Sequence, residues 1–168
     1  MNKQPVYFVY SVRWQERSGF LLWVDEPEPG REHLWADFEK KCPIFPILTE
    51  LRDFALRQGW KLANREAPHP TDLDAVAVWV GGTGNRPLGE CLSAWGLFDD
   101  LSAGTGQAFV GNKQSKARNR VFDLLYAESG PWKRPAEPVE WGTRHLEKLR
   151  RILTQGLDLW ESQTHWVK

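Results

Sequence analysis

The order of periodicities along the chain predicts an α+β fold: a small, mostly antiparallel sheet packed by helices, with a helical C-terminal half from about residue 88. Two observations carry this expectation. Strand-like patterning is confined to the first 80 residues, where Val6 to Trp14 is dense in β-branched and aromatic side chains. Helical patterning dominates afterwards and is clearest from Thr143 to about Gln163. There Leu146, Leu149, Ile152, Leu153, Leu157 and Trp160 form one stripe opposite Glu147, Lys148, Arg150, Arg151 and Asp158. One domain, residues 1–168, accommodates all of it.

Taken in order, Val6, Phe8, Tyr10, Val12 and Trp14 fall on one face of a strand and Tyr7, Val9, Ser11 and Arg13 on the other. A loop from Gln15 to Gly19 leads to a second strand, Phe20 to Val24, making a hairpin of the longer-loop kind. Both strands are apolar on both faces, which predicts a hairpin covered twice. Residues His33 to Lys41 suit a short helix that Pro43 and Pro46 stop. Pro46 opens the next, striped by Ile47, Leu48, Leu51, Phe54 and Ala55 and capped by Gly59. Trp60 to Ala63 suits a short strand, and the apolar run Ala75 to Val80 a buried one that joins the hairpin's sheet. Leu88 to Leu101 and Lys113 to Ala127 read as helices.

The composition, 41% apolar and 26% charged, is that of a soluble globule. Ten tryptophans spread from Trp14 to Trp166, either as partly buried core rings or as exposed interface anchors. Cys42 and Cys91 are too few for a disulfide framework or a thiolate metal site, so no metal or cofactor is expected. The N-terminus lacks a signal-peptide pattern, and no apolar run spans a bilayer. A reducing, cytoplasmic setting without membrane contact is the expectation.

The formal net charge of zero conceals a split. Residues 1–100 hold 15 acids against 11 bases, and residues 101–168 hold 7 against 11. No acid occurs from Leu101 to Phe122, while Lys113, Lys116, Arg118 and Arg120 crowd together. On a helix opening at Asn112, Lys113, Lys116 and Arg120 share one arc. Cations in a first turn oppose the helix dipole, so the arrangement either tolerates that cost or meets an anion. The preceding glycines Gly104, Gly106 and Gly111 would let an anion approach backbone amides. The alternative is a solvated flank with Arg120 paired to Asp123.

Other candidates are weaker. Gly81-Gly82-Thr83-Gly84 after a strand suggests a phosphate-cradling turn, but Pro87 stands where a third glycine belongs. His69 with Asp72 and Asp74 is the nearest approach to a metal cluster, and Asp99-Asp100 to a catalytic carboxylate pair. Adjacent helical residues diverge by about 100°, which disfavours a shared site, and Asp99-Asp100 could instead face the basic helix. Cys91 among Leu88, Leu92 and Trp95 reads as a small core residue.

The leading functional expectation is a non-catalytic interaction or regulatory protein of antitoxin, immunity or accessory type. It would bind an anionic macromolecule, a protein before a nucleic acid, through Lys113, Lys116, Arg118 and Arg120. The aromatic-basic loop of Trp132, Lys133 and Arg134, with Trp141 nearby, would add anchors unless Trp132 plugs an interhelix crevice. The alternative is nucleic-acid binding through the same cations, joined by Arg150 and Arg151, with an exposed tryptophan as a stacking platform. An anion- or nucleotide-binding enzyme built on the Gly81–Gly84 turn comes third.

Overall fold

The computed structural model describes residues 4–27, 32–64, 66–131 and 138–168, and over these the α+β class holds. The strands are β1 (Val6–Trp14), β2 (Arg17–Asp25), β3 (Glu32–Leu34), β4 (Cys42–Ile44), β5 (Thr71–Asp72) and β6 (Thr164–Trp166). The helices are α1 (Leu48–Arg57), α2 (Leu73–Val80), α3 (Glu90–Thr105), α4 (Lys116–Ser129) and α5 (Thr143–Gln163), with a 3₁₀ turn at Val110–Asn112. The main sheet has the order β3-β2-β1-β5, antiparallel except where β5 joins β1. A parallel pair, β4 with β6, ties the C-terminus to the segment before α1.

The hairpin is the centre of the molecule. Leu21 and Leu22 point to opposite faces, yet they are 0% and 1% exposed, so both faces are covered. Val12, Leu21 and Leu34, with Tyr10 and Trp23 beside them, pack on α2, α3 and α5. Val9 and Leu22 face the other way, into Phe45, Leu51, Trp35, Phe54 and Trp60 from α1 and its flanks. The outer edge of β1 is closed as well. Ala63 N–H donates to Tyr7 C=O, and the Asn64 amide brackets Val9 by accepting from its N–H at 2.7 Å and donating to its C=O at 3.0 Å. One side chain thus stands in for a missing strand residue.

Several expectations are corrected. The hairpin loop is a two-residue turn, Gln15-Glu16, with φ of 55° and 59°. Non-glycine residues hold that left-handed geometry because both amides donate to Asp74, each at 2.8 Å, with Arg13 against the same carboxylate at 3.6 Å. Residues 75–80 are helix, not strand. Asp72 caps the first turn by accepting from Ala75 N–H at 2.9 Å, and Leu73, Val76 and Trp79 bury a helical stripe. An apolar run of this length fits either structure, and the cap decides. Thr71–Asp72 takes the expected place in the sheet. No helix forms over 33–41: β3 pairs with β2, Trp35 N–H donates to Leu22 C=O, and a turn follows. Trp60–Ala63 supplies a single bridge, Tyr7 to Leu62, rather than a strand.

Two glycines set the distances at which α3 packs on α5 and on β3. A Cβ on Gly156 of α5 would overlap the Phe98 ring of α3, and one on Gly104 of α3 would overlap the carbonyl of Leu34 in β3. Glycine inside a helix ordinarily costs about 0.5–1 kcal/mol relative to alanine. At Gly104 the order is expected to reverse: Gly104→Ala should destabilise by about 2 kcal/mol or more, since the obstructing atom is backbone. Urea denaturation checks this, and a gain in stability would contradict the close α3–β3 contact.

Candidate partner-binding site

The four clustered cations separate into two kinds. Arg118 is structural: its Nε donates to the Gly111 carbonyl, Nη1 donates to Asn119 Oδ1 at 3.3 Å, and its guanidinium lies 5.2 Å from Trp95 and 5.1 Å from Phe122. It clamps α4 to the preceding 3₁₀ turn, where Gly111 sits so close to Phe109 and Trp95 that no side chain would fit. Lys113, Lys116 and Arg120 are exposed, and none has a carboxylate within 4.0 Å among the described residues. Arg120 does not pair with Asp123.

The helix begins later than expected. Ser115 is the cap, its Oγ accepting from Arg118 N–H at 3.1 Å, so Lys113 stands before the helix and Lys116 is its first residue. Lys116 and Arg120 remain one turn apart on a single face. Nor do the glycines form an anion cradle. Gly104 lies inside α3, and Gly106 ends it at φ 75° with its N–H donated to Ser102 C=O. What remains is three exposed cations, two of them one helical turn apart on α4 and the third before its cap. Trp132, Lys133 and Arg134 lie outside the described residues.

Further expected contacts are satisfied within the fold. Trp141 is half-buried, donates its indole N–H to Glu128 at 3.0 Å and lies 4.6 Å beneath Arg86. Arg86 is bidentate on Glu128 at 2.6 and 2.7 Å. Arg150 covers Trp79 at 4.8 Å. Every described tryptophan is at least partly buried, the core reading rather than the exposed-anchor one.

The chemical alternatives lose their geometry. Gly81–Gly84 follows a helix C-terminus, where exposed carbonyls repel phosphate, not a strand end. Asp72 and Asp74 serve the α2 cap and the hairpin turn, and no metal-ligand cluster of three occurs among the described residues. Cys91 is buried, and that burial pushes its thiol up to about 12, far from a thiolate nucleophile. Asp100 does not face α4. It accepts from the Trp23 indole N–H at 3.0 Å, while Asp99 beside it is exposed. Burial pushes the Asp100 carboxyl up to about 6, with Asp99 and Glu32 adding to the rise and Trp23 opposing it.

Two surface features escape a sequence reading. One is a concavity of about 620 Å³ lined by Arg52, Asp53, Leu56, Trp60, Lys61 and Leu62, at a ring stack in which Tyr7 lies 4.4 Å from Trp60. The other is the turn after β3, whose tip carries Phe38 at 92% exposure. Asp37 next to an aromatic is a signal that an Asx turn could have supplied.

No protein-family model matches the sequence, and no curated protein matches it. Among solved structures, the fold is similar to one described as the crystal structure of the SatS C-terminal domain in complex with bromine. The two share 10% identity over 98% of this chain and 94% of that one, with a TM-score of 0.52. The likeness is one of fold.

Arg118→Ala is expected to cost about 1–2 kcal/mol through the lost ring contacts and the orphaned Gly111 carbonyl, whereas Lys116→Ala should stay within about 0.5 kcal/mol. Chemical denaturation separates them, and equal effects would contradict the division of labour. Asp100 gives a pH signature. Its native pKa lies above the unfolded value of about 4, so protonation favours the native state; that stabilisation is full below about pH 4 and lost as pH rises through 6. Asp100→Asn, which keeps an acceptor for Trp23, should exceed the parent by about 1 kcal/mol at pH 8 and lose that margin by pH 4. A margin independent of pH would show that Asp100 is not the titrating group.

Proposed function

We propose that this chain is a non-catalytic interaction or regulatory protein, of the antitoxin, immunity or accessory class, acting in the cytoplasm on an anionic macromolecular partner. The reading rests on one observation. Lys113, Lys116 and Arg120 stand exposed, without a carboxylate within reach among the described residues, at the edge of an acid-free stretch from Leu101 to Phe122. Arg118 fixes the base beneath them, so binding would not first have to order the helix. Lys116 in the first turn works against the helix dipole, and an anionic partner would offset that cost. Two buried, unpaired thiols suit a reducing compartment, and no helix among the described residues is long and apolar enough to cross a membrane.

A protein partner is preferred to a nucleic acid. A single-strand binder that used tryptophan as its stacking platform would need an exposed indole, and none of the described tryptophans is exposed. The zero net charge of the whole chain points the same way. Three phosphate contacts would give a log-log salt slope of about −2 to −3, a signature that keeps the second reading measurable.

Copurification at low salt with the tagged protein from its own cell tests the proposal. A stoichiometric protein is expected, lost when Lys113, Lys116 and Arg120 are all reversed to Glu, with thermal stability nearly unchanged. A nuclease-sensitive companion would transfer the site to nucleic acid. Failure of the triple variant to fold would show the three side chains to be structural and end the reading.

A further inference from the structure

Where α1 meets residues 59–64, the surface closes around one fixed ring. Trp60 stacks on Tyr7 with centroids 4.4 Å apart and planes 8° from parallel. It also makes T-shaped contacts with Trp35 at 5.5 Å and Phe54 at 5.9 Å. An indole held by three rings is ordered before any ligand arrives, so binding against it costs little side-chain entropy. It still borders the concavity of about 620 Å³, beside Leu62 and Leu56, the last 74% exposed. A second concavity of about 650 Å³ adjoins the first across Trp60, Lys61 and Leu62. Both volumes fall in the range of small-molecule sites, about 300–1,000 Å³.

The polar groups of the cleft select the sign of its ligand. The Asn64 amide is already spent on Val9 and the Glu66 carbonyl, so it has nothing further to offer. Arg52 and Lys61 have no carboxylate within 4.0 Å among the described residues, and Asp53 beside them has no cation within that distance. Two bases against one acid leave the rim positive. An inorganic anion would meet the bases and gain nothing from the apolar floor. A neutral apolar molecule would use the floor and leave the bases idle.

We infer that this cleft binds a small aromatic acid, a planar ring body bearing one carboxylate or sulfonate. The body lies against Leu56, Trp60 and Leu62, where ring contacts with the indole favour an aromatic over an aliphatic one. The acid group is held between Arg52, whose guanidinium can grip it with two parallel N–H donors, and Lys61. The cleft shares no residue with the Lys113, Lys116 and Arg120 site.

Fluorescence titration with anilinonaphthalene sulfonate tests this, with phenylnaphthylamine as its uncharged counterpart. The sulfonate should bind the folded parent saturably at one site, and more tightly than the amine. Reversing Arg52 and Lys61 to Glu should weaken the sulfonate about tenfold or more while moving the amine less than about twofold. Asp53→Asn should tighten the sulfonate alone, and Leu56→Asp should weaken both probes. All these side chains line the rim or the exposed floor, so circular dichroism and melting temperature should stay near the parent's. The Lys113→Glu, Lys116→Glu, Arg120→Glu variant should bind the sulfonate like the parent, which separates failure here from failure of the functional reading. No saturable binding, equal affinity for the two probes, or a sulfonate affinity unmoved by the Arg52 and Lys61 reversals would overturn the inference.

Discussion

Everything in this molecule is arranged around a hairpin with no polar face. Adjacent residues such as Leu21 and Leu22 are driven to opposite sides of one sheet and must both leave water. Burying each contributes roughly 1.5–3 kcal/mol, so neither face can be left open in a chain of this size. The helical second half covers one face through α2, α3 and α5, and α1 with its aromatic flank covers the other. The glycines at 104 and 156 follow from that demand, because the helices must approach the sheet and one another closely enough to exclude solvent.

The polar residues inherit their tasks from the same arrangement. Asn64 closes an edge, Asp74 holds a turn, Asp72 caps a helix, and Glu128 anchors Arg86 and Trp141. Groups that could resemble catalytic machinery are therefore occupied by the fold. Lys113, Lys116 and Arg120 are exposed with no carboxylate within 4.0 Å among the described residues, and Arg118, two residues from its basic neighbours, shows what an employed cation looks like here. Exposure alone distinguishes little; exposure on a braced scaffold does.

Much of this was legible in the residues, for identifiable reasons. The double alternation from Val6 to Trp14 foretold a twice-covered hairpin, and the long stripe from Leu146 to Trp160 foretold α5. What failed did so where a distant side chain decides local structure. The Gln15-Glu16 turn depends on Asp74, 58 residues or more away, and left-handed backbone at those residues is unforeseeable without it. Ala75–Val80 is apolar on all sides, so periodicity carries no information there and one capping carboxylate tips it to helix. In the candidate site, the basic cluster was visible as composition, but the removal of Arg118 from it needed the rings of Trp95 and Phe122, which only tertiary packing supplies. The exposure of Phe38 and the cleft at Trp60 were silent because an exposed aromatic reads in sequence like a buried one, although Asp37 could have marked the turn.

If the hairpin is the constraint on which both covers depend, the covers cannot detach separately. Native-state amide hydrogen exchange measures this directly, because each amide reports the free energy of the smallest opening that exposes it. The account requires the β1 and β2 amides at Val9, Val12, Leu21 and Leu22 to exchange only through the global unfolding transition, at the same free energy as the buried amides of α5. Exchange of the hairpin amides through a smaller opening, with α5 still protected, would contradict it.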